Sequence, residues 1–259
     1  MLVRLWCVVG LVACGDSHPA VIDAPRGTDA PRVVDSAKPP DAAGPDLSCS
    51  GQVLPTTAPD PIVISGFTDQ VTGIGVFPEA GVKLDAYVNG DVSPRATVTS
   101  DAQGAFSLNV PSGGTANSGY LLATKTGLVP TYLYAATAVY MNLPGSTDVI
   151  VSGQTIGNLT NAAGVTQDPT KGLISVQIID CGGAPIAGAH LTSPTGAVFY
   201  TSQGAPSAGA TATDGSGVIY IFNVPTGPVT LGATLGTKVL RSNQVGSFAN
   251  SPTFTNLQP

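Results

Sequence analysis

A pair of similar stretches constrains the fold of this chain more than any other feature. The first, residues 99–113, reads TSDAQGAFSLNVPSG, and the second, residues 213–227, reads TDGSGVIYIFNVPTG. Each has a tight turn containing Asp and Gly, a short apolar run, and an Asn-Val-Pro exit. Two ordered copies predict two similar β-domains in tandem. The one-residue insertion in the second copy, between Gly217 and Asn223, predicts a β-bulge there.

Short strands separated by turns are predicted around both copies. In residues 80–88, apolar residues alternate with Lys83, Asp85 and Tyr87, which is typical of a half-buried strand. Further strands are predicted over residues 61–69, 105–110, 119–125, 132–141, 172–180, 229–233 and 238–241. The predicted fold class is therefore all-β, with two tandem immunoglobulin-like or transthyretin-like β-sandwiches.

Several short motifs resemble those of the carboxypeptidase regulatory-like (transthyretin-like) family of seven-stranded sandwiches. They are Ala80-Gly-Val, TSDAQGAF at residues 99–106, Val110-Pro and GYLLA at residues 119–123, and Ala187-Gly-Ala repeats the first of them. The resemblance implies that the Asp-x-x-Gly turn and the aromatic after it are structural. It also implies a non-catalytic domain.

The N-terminus has the pattern of an export signal. Arg4 precedes an apolar run, residues 5–13, that is too short to span a bilayer as a permanent helix. The run ends in LVAC, which resembles the lipobox of bacterial lipoproteins. That resemblance implies cleavage before Cys14 and lipidation of its thiol, and Gly15 in place of Asp favours the outer membrane. An uncleaved or ordinarily cleaved signal is the alternative.

The segment after Cys14 is predicted to be a disordered tether, because Asp recurs every six residues between prolines and no apolar periodicity is present. The predicted organisation is a lipoprotein signal peptide (1–13), the tether (14–48), a first sandwich (49–147), a connector (148–171) and a second sandwich (172–259). The connector is expected to contain a short helix over residues 156–163, with Thr155 as its N-cap and Gly164 as its stop.

Composition and motifs argue against several functions. The formal net charge is −6 and no basic patch is readable, which argues against nucleic-acid binding. His18 and His190 are the only histidines, too few for a zinc site or proton relay. Asp101 and Asp214 fit type I turns better than a calcium loop. We expect no enzyme activity, catalytic residue, metal or cofactor.

Two pairs of residues are candidates for special roles. With Cys14 lipidated, Cys49 and Cys181 remain, and beyond the inner membrane such a pair usually forms a disulfide; two separately buried thiols are the alternative. Tyr132 and Tyr134 share a strand face and are the first candidates to stack on sugar rings. Half-buried packing residues are the alternative for these tyrosines.

Three functional hypotheses follow. The leading one is a non-enzymatic, membrane-anchored lipoprotein of the bacterial cell envelope that acts as a structural or adhesion-type interaction module, with envelope proteins or glycans as partners. The second is a carbohydrate-binding surface module that uses the tyrosines. The third, suggested by the family resemblance, is an accessory domain of a secreted peptidase or transporter system.

Overall fold

The computed structural model describes residues 44–72, 75–192 and 195–259. The predicted signal peptide, Cys14, His18 and most of the predicted tether lie outside these residues. The all-β prediction is confirmed, because strands are the main regular structure of the described part and a single helix is found in it. Their bounds are β1 (Ile62–Thr72), β2 (Gly75–Pro78), β3 (Lys83–Val88), β4 (Ala96–Thr99), β5 (Ala105–Val110), β6 (Gly119–Thr124), β7 (Thr131–Tyr134), β8 (Leu143–Val151), β9 (Gly172–Ile178), β10 (Ala189–Thr192), β11 (Ala197–Ser202), β12 (Ala205–Ser207), β13 (Val218–Val224), β14 (Gly227–Leu235), β15 (Lys238–Val239), β16 (Asn243–Ser247) and β17 (Pro252–Leu257).

A nine-stranded sheet joins the two halves of the chain. Its order is β12-β11-β13-β9-β17-β7-β6-β3-β4, so strands of the first half occupy one end and strands of the second half the other. A smaller sheet of β1, β2, β5 and β8 packs on the first-half end. Strands β10, β14, β15 and β16 pack on the second-half end. We call these two layered halves the first and second sandwich.

The C-terminal strand β17 lies at the centre of the large sheet. It pairs in parallel with β7 on one side and with β9 on the other. Every residue of the strand is buried. Successive side chains of a strand point to opposite faces, so Phe254 packs in the core of the first sandwich while Leu257 packs in that of the second.

The two cores lie on opposite faces of the large sheet. In the first sandwich, Leu84, Leu121 and Leu133 of the large sheet face β1, β5 and β8. In the second sandwich, the core side chains Ile174 and Val176 lie on the opposite face of the sheet. They pair with Thr253 and Thr255, which point away from the face that bears Phe254. The shared sheet therefore passes from one sandwich into the other without a break.

One helix, α1 (Gly153–Ala163), connects the sandwiches. Its N-cap is Ser152, whose hydroxyl accepts a hydrogen bond from the Thr155 backbone N at 3.1 Å. The expectation that Thr155 is the cap is therefore wrong, because Ser152 already occupies the extended position before the first turn. Gly164 ends the helix in the left-handed conformation, as expected.

Helix α1 and strand β8 occupy the region between the two predicted domains. The helix contributes Ala163 to a small core with Phe222 and Tyr220, on the face of the second sandwich that β14 and β16 leave uncovered. Strand β8 runs in parallel beside β1 over its whole length and crosses the boundary predicted after residue 147.

The two repeated stretches make the same local contacts. The hydroxyl of Ser100 accepts a hydrogen bond from the backbone N of Val82 at 3.0 Å, and that of Thr213 accepts one from Ala189 at 2.8 Å. The same hydroxyl also donates to a backbone carbonyl three residues before that N–H group. The acceptor is Glu79 for Ser100 and Ile186 for Thr213. In each sandwich, a buried hydroxyl side chain therefore holds the turn against the start of an earlier strand.

The predicted bulge is confirmed in the second copy. The register between β13 and β9 shifts between Ile221 and Val224. Asn223 has a φ of 57°, a left-handed conformation that Asn adopts more readily than most residues. Its side chain accepts a hydrogen bond from the backbone N of Asp168 at 2.7 Å. The bulge therefore accommodates the inserted residue near the end of β13.

We predict that Phe254→Ala destabilises both sandwiches together. Phe254 is only 5% exposed, and removing a buried phenyl ring costs about 3–5 kcal/mol of unfolding free energy. Because β17 pairs with both halves, amide hydrogen exchange should accelerate in β6 and in β13 alike. The control is Phe67→Ala, whose ring is 50% exposed and whose loss should cost about 1 kcal/mol or less. Faster exchange confined to the first sandwich would contradict the prediction.

Candidate functional site

The two Asp-x-x-Gly turns have the geometry of structural turns. One carboxylate oxygen of Asp101 accepts hydrogen bonds from the backbone N atoms of Gln103 at 2.9 Å and Ala105 at 2.8 Å. The backbone N of Gly104 closes the turn on the carbonyl of Asp101 at 3.0 Å. Gly104 has a φ of 79°, which a side chain would disfavour. The carboxylate is thus used within its own loop.

Asp214 is held in the same way. Its Oδ1 accepts hydrogen bonds from the backbone N of Ser216 at 2.9 Å and from the Thr201 hydroxyl at 2.8 Å. Partial burial acts to raise the pKa of Asp214, but the hydrogen bonds from Ser216 and Thr201 outweigh it and hold the pKa below its usual value. Such a carboxylate stays ionised and is a poor proton donor.

A third turn of this type, at Asp180, was missed by the sequence analysis. Its Oδ1 accepts hydrogen bonds from the backbone N atoms of Gly182 at 2.9 Å and Ala184 at 2.8 Å. The Asp-x-x-Gly spacing at residues 180–183 is the signal that would have found it. Here the turn sits directly after β9.

The described residues hold few groups suited to metal binding or catalysis. Within them, no group of three or more His, Cys, Asp and Glu side chains is placed to hold a metal ion. His190 lies on β10, where its Nδ1 is 2.9 Å from the carbonyl oxygen of Thr211. No helix in the described part is long and apolar enough to cross a membrane.

Five aromatic rings meet where the two sandwiches join. We call Tyr87, Tyr120, Tyr132, Tyr134 and Phe248 the aromatic cluster. Tyr120 is its centre, with ring centroids 5.1 Å from Tyr87 and 5.2 Å from Tyr134. Phe248 lies flat on Tyr132, with centroids 3.5 Å apart and planes 4° apart. The cluster therefore joins strands β3, β6 and β7 to the end of β16.

The two tyrosines predicted to bind sugars have different surroundings. Tyr134 is 6% exposed, and burial raises its pKa to about 12 although a hydrogen bond from the backbone N of Gly246 acts against the rise. Tyr132 is half-buried, and one face of its ring is covered by Phe248. Burial also raises the pKa of Tyr132. The pair therefore does not form an open platform.

A groove of about 530 Å³ runs beside the cluster. Its wall includes Phe248 and Tyr134 together with the polar side chains of Asn89, Gln244 and Thr226. No Lys, Arg, Asp or Glu among the described residues lines it. Tyr87 and Tyr120 are half-buried and stack on one another, but neither of them lines this groove. Phe248 was missed by the sequence analysis, because no local pattern places it against tyrosines so far along the chain.

Cys49 and Cys181 are joined by a disulfide in the structure, across a sequence separation of 132 residues. The bridge ties the segment before the first sandwich to the loop after β9 in the second. Beside it, the backbone N of Cys181 donates to the carbonyl of Asp46 at 2.8 Å. The bridge is thus part of a larger attachment of the N-terminal segment.

We predict that Gly246→Ala disrupts the aromatic cluster. A Cβ at this position would lie 2.7 Å from ring atoms of Phe248 and 2.8 Å from the Tyr134 hydroxyl oxygen. The rings must shift, at a cost of about 1–3 kcal/mol, and the near-ultraviolet circular dichroism of the tyrosines should change. Gly215→Ala is the control, since its Cβ would meet no atom within 4 Å. An unchanged tyrosine spectrum for Gly246→Ala would contradict the packing described.

No protein-family model and no curated protein matches this chain. Among solved structures, it is similar to the shaft pilin SpaA from Lactobacillus rhamnosus GG (double mutant E269A/D295N), at 15% identity, 77% coverage of this chain, 97% of that chain and a TM-score of 0.24. The minor pilin GBS52 of Streptococcus agalactiae matches at 14% identity, 76% and 95% coverage and a TM-score of 0.24. The Bacillus anthracis TIE protein matches at 13% identity and a TM-score of 0.23; 75% of this chain is covered but only 33% of that one. Likeness at this level does not extend to the arrangement of the whole molecule.

Proposed function

We propose that this chain is a non-enzymatic lipoprotein of the bacterial cell envelope, anchored through Cys14, that presents a rigid double sandwich as a structural or adhesion-type interaction module. The outer membrane is the favoured site of the anchor, and envelope proteins or glycans are the proposed partners. The observation that carries the proposal is the way the N-terminal segment is fastened to the body of the protein.

The segment that leads from the tether is held at several points by the second sandwich. The backbone N of Asp46 donates to Oδ2 of Asp180 at 3.1 Å, and the disulfide from Cys49 to Cys181 lies beside this contact. Farther along, the guanidinium of Arg241 donates to the carbonyl of Gln52 at 2.8 Å. Only after these contacts does the chain enter the first sandwich.

This arrangement suits a module that bears load. A pull on the tether would reach the covalent bridge at Cys49 before it reached β1, so it would not peel the first sandwich open strand by strand. Because the large sheet is continuous between the sandwiches, the pull is spread over both. A surface module that holds a partner against flow or growth needs an attachment of this kind.

We predict that Cys14→Ser abolishes lipid attachment. In cells fed labelled palmitate, the wild-type chain should incorporate label and sediment with membranes, because several acyl chains bind a bilayer far more firmly than one. The Cys14→Ser chain should carry no label and leave the membrane fraction. Cys7→Ser is the matched control, since Cys7 lies within the predicted signal and should not affect labelling. Equal labelling of wild type and Cys14→Ser would refute the anchor.

A carbohydrate-binding module is the second candidate function. The groove beside the aromatic cluster favours it, because it combines aromatic rings with amide and hydroxyl side chains and has no charged side chain among the described residues that line it. Neutral sugars need apolar ring faces and hydrogen-bonding partners of this kind. With Tyr134 buried, the half-buried Phe248, which also lines the groove, takes its place as the residue to test. The accessory-domain hypothesis has no such observation in its favour.

We predict that, if the groove binds glycans, Phe248→Ala weakens binding of the full chain to insoluble polysaccharides by about tenfold or more, the cost of a lost stacking contact of about 1.5 kcal/mol. Tyr140→Ala is the control, because Tyr140 is also half-buried but lies outside the aromatic cluster. Pull-down against a panel of envelope and plant polysaccharides gives the comparison. A wild-type chain that no polysaccharide retains, or equal loss in both variants, would count against this candidate.

A further inference from the structure

A cavity lies between the two layers of the first sandwich. Its volume is about 60 Å³. Side chains of the apolar core form most of its wall, among them Ile62, Ile64, Leu121, Leu133 and Leu143. A water molecule needs about 15 Å³ of such volume, so the space is large enough for several waters.

Two polar side chains in the wall of this cavity are incompletely bonded. Asp148, on β8, is 2% exposed; its Oδ1 accepts a hydrogen bond from the Ser146 hydroxyl at 2.8 Å, while its Oδ2 has no partner among the described residues. Nδ2 of Asn117 also has no partner among them. Both residues line the cavity. A buried acceptor or donor left unbonded costs about 1–3 kcal/mol.

We propose that this cavity is an internal water site, in which water bonds to both Asp148 and Asn117, and that the hydrated acid makes the stability of the first sandwich respond to pH. Water fits both groups, since it can accept a hydrogen bond from the Asn117 amide and donate one to the Asp148 carboxyl. Internal waters of folded proteins make about three hydrogen bonds to otherwise unpaired polar groups.

Burial favours the neutral form of this carboxyl. Removal from bulk water raises the pKa of Asp148 to about 7, although the hydrogen bond from Ser146 acts in the opposite direction. The folded protein therefore holds the proton more tightly than the unfolded chain, whose pKa is near 3.8. The stabilising contribution is fully present below about pH 4 and is lost as the pH rises to about 7.

Other titratable groups around the cavity do not reproduce this response. Tyr87, Tyr120 and Tyr134 line it, and tyrosine side chains are neutral between pH 4 and about 9. No other carboxylate and no Lys, Arg or His of the described residues lines it. The charged residues on the strands packed around Asp148 alternate to the opposite faces: they are Asp69 on β1 and Lys83 and Asp85 on β3.

The test compares the full wild-type chain with Asp148→Asn by urea unfolding between pH 4 and pH 8. Asparagine keeps the shape of the side chain and cannot ionise. We expect the unfolding equilibrium constant of the wild type to rise over this range by tenfold to about a thousandfold more than that of Asp148→Asn, because each unit between the folded and unfolded pKa values is a factor of ten. Asp69→Asn is the matched control: burial also raises the pKa of Asp69, but it faces away from the cavity, so most of the wild-type slope should remain.

Two further measurements decide the outcome even if Asp148→Asn does not fold. Titration of the wild-type Asp148 side-chain carbonyl by nuclear magnetic resonance should give a midpoint well above 4 and toward 7. A crystal structure near pH 5 should show water about 3 Å from both Oδ2 of Asp148 and Nδ2 of Asn117. A midpoint near the ordinary value of about 3.9, a dry cavity, or equal slopes for wild type and Asp148→Asn would each overturn the proposal.

Discussion

The structure depends on the pairing of β17 with both halves of the chain. Its backbone pairs in parallel with β7 over residues 253–255 and with β9 over residues 252–257, and this pairing keeps the large sheet continuous. Its side chains serve both faces at once, with Phe254 in one core and Leu257 in the other. Thr253 and Thr255 add polar contacts to the neighbouring layer, where their hydroxyls bond to Gly246 and Asn243. Without this strand, each half would present an unpaired sheet edge, which is a site of aggregation.

The sequence predicts the local elements well because each has a local cause. Strand β3 is predicted by the alternation of apolar and polar residues, and β5 by the Asp-x-x-Gly turn and the apolar run after it. The bulge at Asn223 is predicted by the residue inserted in the second copy. Several strands escape this reasoning, and β8 and β17 show why. Strand β8 begins with Leu143-Pro-Gly, which is typical of a turn, and β17 begins with proline and contains buried threonines. Polar residues are buried in β17 because layers cover both of its faces, and no local pattern reveals a layer that comes from elsewhere in the chain.

The tyrosines show the same limit at the candidate site. Alternation correctly places Tyr132 and Tyr134 on one face of β7, and this face is indeed shared with Tyr120. What covers the face is decided by β16, since Gly246 leaves room for the Tyr134 hydroxyl and Phe248 stacks on Tyr132. A strand face can be predicted from spacing, but its exposure depends on packing between sandwiches. The same holds for Asp148: an acid in the run STDVIVS, residues 146–152, is visible in the sequence, whereas its cavity is not.

The attachment of the N-terminal segment and the position of β17 belong to one mechanical arrangement. Arg241 contacts both ends of the described chain, since its backbone N donates to the carbonyl of Gln258 at 3.0 Å while its guanidinium donates to that of Gln52. The disulfide at Cys49 lies in the same region. Force arriving through the proposed tether would pass from Cys49 through the bridge to Cys181 and so to β9, which is paired along its length with β13 on one side and β17 on the other. This geometry is what the proposed module requires, because a pull on its tether would meet a covalent bridge and a fully paired strand before it reached β1.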